Sequence, residues 1–374
     1  MLKYALRYAP LPILVLLLIP FRLLIDQGQP GPVTIDKVSS APLPGSALYS
    51  VATLSSQDAW AVGGTFILQK TDQQNTNQQN TNSRAGSTSY AAPSNGLILR
   101  YMANGGWQPD NVAPNTNLTS PLFSVSMDSL QDGWAVGYGG TFVHYNGNTW
   151  STAPGPAHFN KNVTGVAMLL PSDGWAVGYG GSILHYDGRQ WTQVQSPTLF
   201  DLYSIAMPTA QEGWAVGDNG TILHYSGGIW RLIASPTTSR LNNVSMLAAN
   251  EGWAVGDNGT ILHYREGAWE SVYNAASTLN QISLVGVTMN SIRSGWIIGS
   301  KHMLTYSSEV WTEPTFTGRE ATILLYSNLH LYGITMSPSG EGWAVGGIDE
   351  NDGGTTLFIV HYQNGKWSPS SITS

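Results

Sequence analysis

The fourteen tryptophans of this 374-residue chain fall into two interleaved sets of seven. The first is Trp60, Trp134, Trp175, Trp214, Trp253, Trp296 and Trp343; the second is Trp107, Trp150, Trp191, Trp230, Trp269, Trp311 and Trp367. The spacing within a pair is constant from Trp134/Trp150 to Trp253/Trp269, and the clearest copies read EGWAVGDNGTILHYSGGIW (212–230) and EGWAVGDNGTILHYREGAW (251–269). At a fixed distance before each first-set tryptophan stands a β-branched residue: Val51, Val125, Val166, Ile205, Val244, Val287 or Ile334. Two residues later comes Met127, Met168, Met207, Met246, Met289 or Met336, with Thr53 in the first copy. Seven copies at a period of about 40 residues indicate a propeller or a related array.

Each copy reads as four short strands: LYSIAMP, GWAVG, TILHY and a fourth that begins at the second tryptophan. Glycines punctuate them. The strands are apolar on consecutive residues, as expected when both sheet faces are covered by neighbouring blades. The spacing therefore predicts an all-β fold, a seven-bladed β-propeller of four-stranded blades over residues 43–374. Radial closure removes most exposed strand edges. Both Val33–Pro42 and Trp367–Ser374 resemble a fourth strand. One of them is expected to complete the last blade.

Composition agrees. Charged residues make up 10% of the chain, against roughly 25% in ordinary soluble proteins, and the 42 glycines suit a turn-rich fold. The net charge of −7 argues against a nucleic-acid partner. With no cysteine, disulfides, thiolate metal sites, cysteine nucleophiles and a lipid-modified N-terminal cysteine are excluded.

Residues 1–26 read as a signal peptide or signal anchor. Lys3 and Arg7 precede the apolar run Ala9–Phe21. As a helix it would span about 20 Å, against about 30 Å of hydrocarbon; extension to Ile25 requires Arg22 to snorkel. Export follows: a propeller on the extracytoplasmic side, membrane-anchored or secreted, monomeric, touching the membrane only through this segment. Residues 27–42 form a linker.

His144, His185, His224, His263 and His361 occupy one strand position in different repeats. Symmetry spreads them around a ring, whereas metal ligands must converge, so a packed or hydrogen-bonded role is expected. The methionine stripe reads as core filling rather than a copper(I) site. The propeller arginines scatter over different repeat positions, unlike a sialidase's carboxylate-binding cluster. The acidic stretch 347–354 reads as a solvated hairpin tip rather than a calcium loop. No catalytic residue, metal or cofactor is assigned.

Function is expected where the repeat breaks. Residues 70–95, a low-complexity insertion, and 347–355 both lie between second and third strands, and 312–332 joins a fourth strand to the next first strand. Strand order puts all three on one face around the ring closure. Arg319, Glu320, Tyr326, His330, Tyr332, Asp349 and Asp352 are the candidate ligand- or partner-binding residues, offered to a protein or a glycan. The expected function is a non-enzymatic extracytoplasmic binding scaffold. The alternative is a glycan-cleaving hydrolase or lyase at the channel mouth, which needs convergent carboxylates.

The unit from Gly213 to Trp230 resembles the propellers of the photosystem II assembly and stability factor family. It is also similar to bacterial neuraminidase repeats, with Asp187-Gly188-Arg189-Gln190-Trp191 nearest to their Asp-box. The resemblance covers about residues 43–370. It implies a non-catalytic propeller that binds a membrane-protein partner, partly through arginine-rich surface positions. At the third-strand position where that family often carries arginine, this chain has Arg100, His144, His185, His224, His263, Thr305 and His361.

Overall fold

The computed structural model describes residues 46–65, 94–103, 105–272, 282–299, 302–316, 320, 324, 328–349 and 355–373. Residues 1–26, the linker 27–42 and nearly all of the insertion 70–95 lie outside the described residues; Ser94 and Asn95 already belong to a strand. The expected propeller is observed. Seven four-stranded antiparallel sheets follow one another along the chain, each built from four consecutive strands. Blades one to seven occupy 46–109, 122–153, 163–194, 202–233, 241–271, 284–312 and 329–369.

Blade four shows why the repeat folds this way. Its strands are Leu202–Thr209, Glu212–Gly217, Ile222–Ser226 and Ile229–Ile233. Gly213 to Gly217 are all buried, as consecutive apolar residues demand when a sheet has a neighbour on each face. The Asp218-Asn219-Gly220 turn reverses the chain with φ of 52° at Asn219 and 65° at Gly220, the left-handed region that Asn and Gly tolerate best. In blades two and three the same turn is Tyr-Gly-Gly.

All fourteen tryptophans are buried between blades. The first-set indole of one blade meets the second-set indole of the next edge to face: Trp134–Trp191 at 5.4 Å, Trp175–Trp230 at 5.6 Å, Trp214–Trp269 at 5.4 Å and Trp296–Trp367 at 5.4 Å between centroids. Trp343 and Trp107 repeat this across the ring closure at 5.1 Å. Such pairs contribute about 0.5–1.5 kcal/mol each beyond their buried area. Between blades one and two, the Trp60 and Trp150 indole N–H groups both donate to Asp110 Oδ2.

The ring closes through the C-terminal end. Lys366–Pro369 is the fourth strand of blade seven. The chain then crosses to blade one, where Ile372 bridges Trp107 in parallel. The Thr373 amide donates to Trp107 O at 2.6 Å and its hydroxyl to Gly105 O at 2.9 Å. Between blades one and two, Val112 bridges Trp150 in the same parallel manner. Closure is thus one more copy of an inter-blade strap. Near the axis, side-chain oxygens add a second belt: Ser50, Ser124, Ser204 and Asn243 accept the backbone N–H of Val125, Val166, Val244 and Val287 in the following blade.

The histidines are structural. His144, His185, His224, His263 and His361 each stack on the first-set tryptophan of their own blade, with centroids 3.9–4.5 Å apart. Four donate to, or accept from, the carboxyl group two residues before that tryptophan: Asp132 and Asp173 at 2.8 Å, Glu212 and Glu251 at 2.6 Å. In blade one, Arg100 takes the place of His, over Trp60 and 3.3 Å from Asp58. In blade six, Ser294 and Thr305 replace acid and base together. The two positions change together, as expected of hydrogen-bonded partners, since either one alone would lose its partner.

Blade seven is the loosest copy. His361 Nε2 lies 3.8 Å from Glu341, whose other oxygen accepts from Gln363. Burial pushes the His361 imidazole below its ordinary value and Glu341 restores only part of that. A base depressed in the folded state binds fewer protons there than in the unfolded chain. Its contribution is complete above the unfolded value near 6.5 and is lost as pH falls through the lower folded value. Thermal midpoints should therefore decline below about pH 6.5, and His361→Gln should flatten that decline.

Candidate binding face

In an up-and-down blade, the second-to-third connection and the fourth-to-next-first connection emerge on one face. The repeat is broken in three such connections, after Thr65, Thr312 and Asp349, and the described strand ends that flank them open on that face. Blades one and seven adjoin there, with Gly333 against Tyr49 and Ser50.

The described candidate residues divide into two groups. His330, Tyr332 and Asp349 come together on blade seven. The register pairs His330 with Gly347 and Leu329 with Ile348, which brings Asp349, at the end of its strand, beside His330. His330 Nε2 lies 3.2 Å from Asp349 Oδ2. Asn328 brackets the pair, its carbonyl accepting from the Asp349 amide and its side-chain amide donating to Asp349 O. Thr355 donates to Asp349 Oδ1. Tyr332 is 38% exposed, stacks in parallel with His330 at 6.4 Å and meets Tyr49 of blade one at 5.5 Å.

Glu320 is elsewhere. Its carboxylate accepts the Trp367 amide at 2.8 Å, on the outermost strand of blade seven and near the hairpin turn of the opposite face. It straps the blade edge rather than joining His330 and Asp349. Arg319, Tyr326 and Asp352 lie outside the described residues.

Other groups on this face were not singled out from the sequence. His302 Nδ1 lies 3.0 Å from Glu313 on blade six. On blade four, Asp218 accepts from Tyr203 at 3.1 Å and from Arg240 at 2.9 Å, and Arg240 lies over the Tyr203 ring. Burial raises the Tyr203 phenol well above its usual value. The signal available was register: these residues lie at or just beyond strand ends on this face, positions that vary while the Gly-Trp core repeats.

The first strands line a central cavity of about 170 Å³. Ser50, Ser124, Thr164, Ser204, Asn242 and Asn243 supply its polar groups, and Tyr49, Phe123, Tyr203 and Tyr332 stand towards the strand starts. Its lining holds hydroxyls, amides and aromatic rings rather than carboxylates. The arrangement can hydrogen-bond and stack; no pair of acids is among the described lining residues.

Comparison with known proteins agrees with this architecture. Residues 186–273 match the family model of the photosystem II assembly factor YCF48. No curated protein matches the sequence. Among solved structures, a YCF48 bound to a D1 peptide is 15% identical with a TM-score of 0.59, covering 85% of this chain and 92% of that one. YCF48 from Cyanidioschyzon merolae is also 15% identical at 0.59, covering 87% and 98%. U3-55K reaches the same TM-score and coverage at 7% identity. At such identities the likeness establishes the fold alone. The chain is thus a seven-bladed β-propeller, similar over residues 186–273 to the photosystem II assembly factor YCF48 family model and in fold to the solved YCF48 propellers.

Proposed function

We propose that this chain is a non-enzymatic binding scaffold, exported and held at a membrane by its N-terminal segment, that engages a protein through the face around the ring closure. The carrying observation is the His330–Asp349 pair beside Tyr332 and Tyr49. Charged and aromatic groups meet there at a seam between blades, the mixed polar and apolar surface that partner binding uses. The cavity lining favours binding over hydrolysis. The similar YCF48 propeller captured with a D1 peptide supports a peptide segment as the element bound. Capture with the full-length chain in detergent, followed by affinity measurement on the recovered partner, tests the reading. His330→Ala with Tyr332→Ala should weaken binding at least about tenfold, on the scale of a hot-spot pair, with the thermal midpoint nearly unchanged. Undiminished binding by that variant, together with its loss on substitution of the opposite face, would falsify the assignment. Retention of a glycan on an array, abolished by Tyr49→Ala, would support a glycan partner instead.

A further inference from the structure

We infer that the rim of blades three and four on this same face rests on the lipid surface. The inference depends on the membrane tether proposed above and goes beyond the sequence reading, which confined membrane contact to the N-terminal segment.

Leu199 and Phe200, in the connection from blade three to blade four, are 88% and 49% exposed. The repeat makes this unusual. At the same two positions blade three has Asn160 and Lys161, and blade five has Thr238 and Ser239. Leu199 stands between two hollows. One is lined by Lys161, Gly180 and Gln193; the other, about 710 Å³, by Phe200, Asn219 and Leu232. Leu232 is itself 58% exposed.

The neighbouring turns follow the same trend. Tyr138 and Tyr179 open the turns of blades two and three, each 39% exposed, where blades four and five place Asp218 and Asp257. Projecting leucine and phenylalanine, a lysine lining the same hollow as Leu199 and tyrosines at the turns of blades two and three on the same face are the composition of an interfacial contact. Isolated apolar side chains on a soluble surface are ordinary, but a clustered departure from an internal repeat is not.

Lipid is favoured over a protein occupant by where the chain enters. The first strand starts at Ser46 on this face. The tether proposed above, with its apolar run Ala9–Phe21, would thus join the described propeller at the face that bears Leu199.

The chain has no cysteine, so a single label can be placed. Leu199→Cys and Ile292→Cys full-length proteins would carry an environment-sensitive fluorophore on vesicles of phosphatidylcholine and phosphatidylglycerol. Ile292 is the control, 62% exposed in a turn of the opposite face. The label at 199 is expected to shift to the blue and to be quenched about twofold or more by spin-labelled lipid, while the label at 292 is unchanged. Flotation of the protein with no quenching at 199, or equal quenching at both sites, overturns the lipid contact and leaves the tether standing. Failure to float removes both. No other protein is present, so quenching at 199 cannot come from a partner.

Discussion

Removing residues 370–374 should lower the thermal midpoint by about 10 °C and open the ring at one seam. The segment buries Ile372, 8% exposed, against Trp107, a contribution of about 1.5–3 kcal/mol. It also holds hydrogen bonds from Ser370 to Ile359, and from Thr373 to Trp107 and Gly105, each contributing about 1 kcal/mol. At about 2 °C per kcal/mol, the low end of the usual range because the chain is large, a loss of about 5 kcal/mol gives the stated shift. The fold should survive, because every blade keeps its four strands and the Trp107–Trp343 contact remains. Trp107, now fully buried, would gain water, so the fluorescence of the truncated protein should move to the red. An unchanged midpoint would mean that indole packing alone closes the ring. The same strap joins blades one and two internally, but Val112 is 36% exposed and the strap is held there by backbone bonds between Trp150 and both Asn111 and Ala113, so Val112→Asp should lower the midpoint much less than the truncation does.

The blade count and strand boundaries were legible because one physical requirement, a sheet with neighbours on both faces, repeats seven times. Each tryptophan therefore has an equivalent against which its register can be checked. The histidine ring could be assigned to packing before any coordinates, since symmetry forbids convergence. The site was legible only in part. Strand order was enough to bring His330 and Asp349 to one face, because both flank connections that open there. It could not place Glu320, which lies in a connection whose path the repeat does not constrain and which turns out to strap Trp367. Nor did insertion length point to Leu199 and Phe200, which break the repeat in chemistry rather than in spacing. Comparing residue types at each repeat position, not only gap lengths, would have marked them.

The repeat also encodes a packing rule that a double-mutant cycle can test. Gly213→Ala should destabilise the propeller by about 1–3 kcal/mol, the usual range for overfilling a core. A methyl group there would overlap Met207 Sδ, and the same holds for Gly133 with Met127, Gly174 with Met168, Gly252 with Met246, Gly295 with Met289 and Gly342 with Met336. No left-handed backbone is involved at Gly213, so the cost is steric rather than conformational. Blade one supplies the compensated solution. There the methionine is Thr53, the glycine is Ala59, and the two are directly paired. The Thr53 hydroxyl donates to the Asp58 and Ser55 carbonyls, so its polarity is satisfied. Glu212 occupies the Asp58 position in blade four and can accept in the same way. Met207→Thr alone should destabilise by loss of buried thioether surface. Combined with Gly213→Ala it should cost less than the sum of the single changes, with a coupling of about 1 kcal/mol or more, as expected for residues in contact. Chemical denaturation of the four proteins gives the cycle directly. Strict additivity would show that Met207 simply rotates away from the added methyl, and that the shared absence of methionine and glycine in blade one is unrelated to packing.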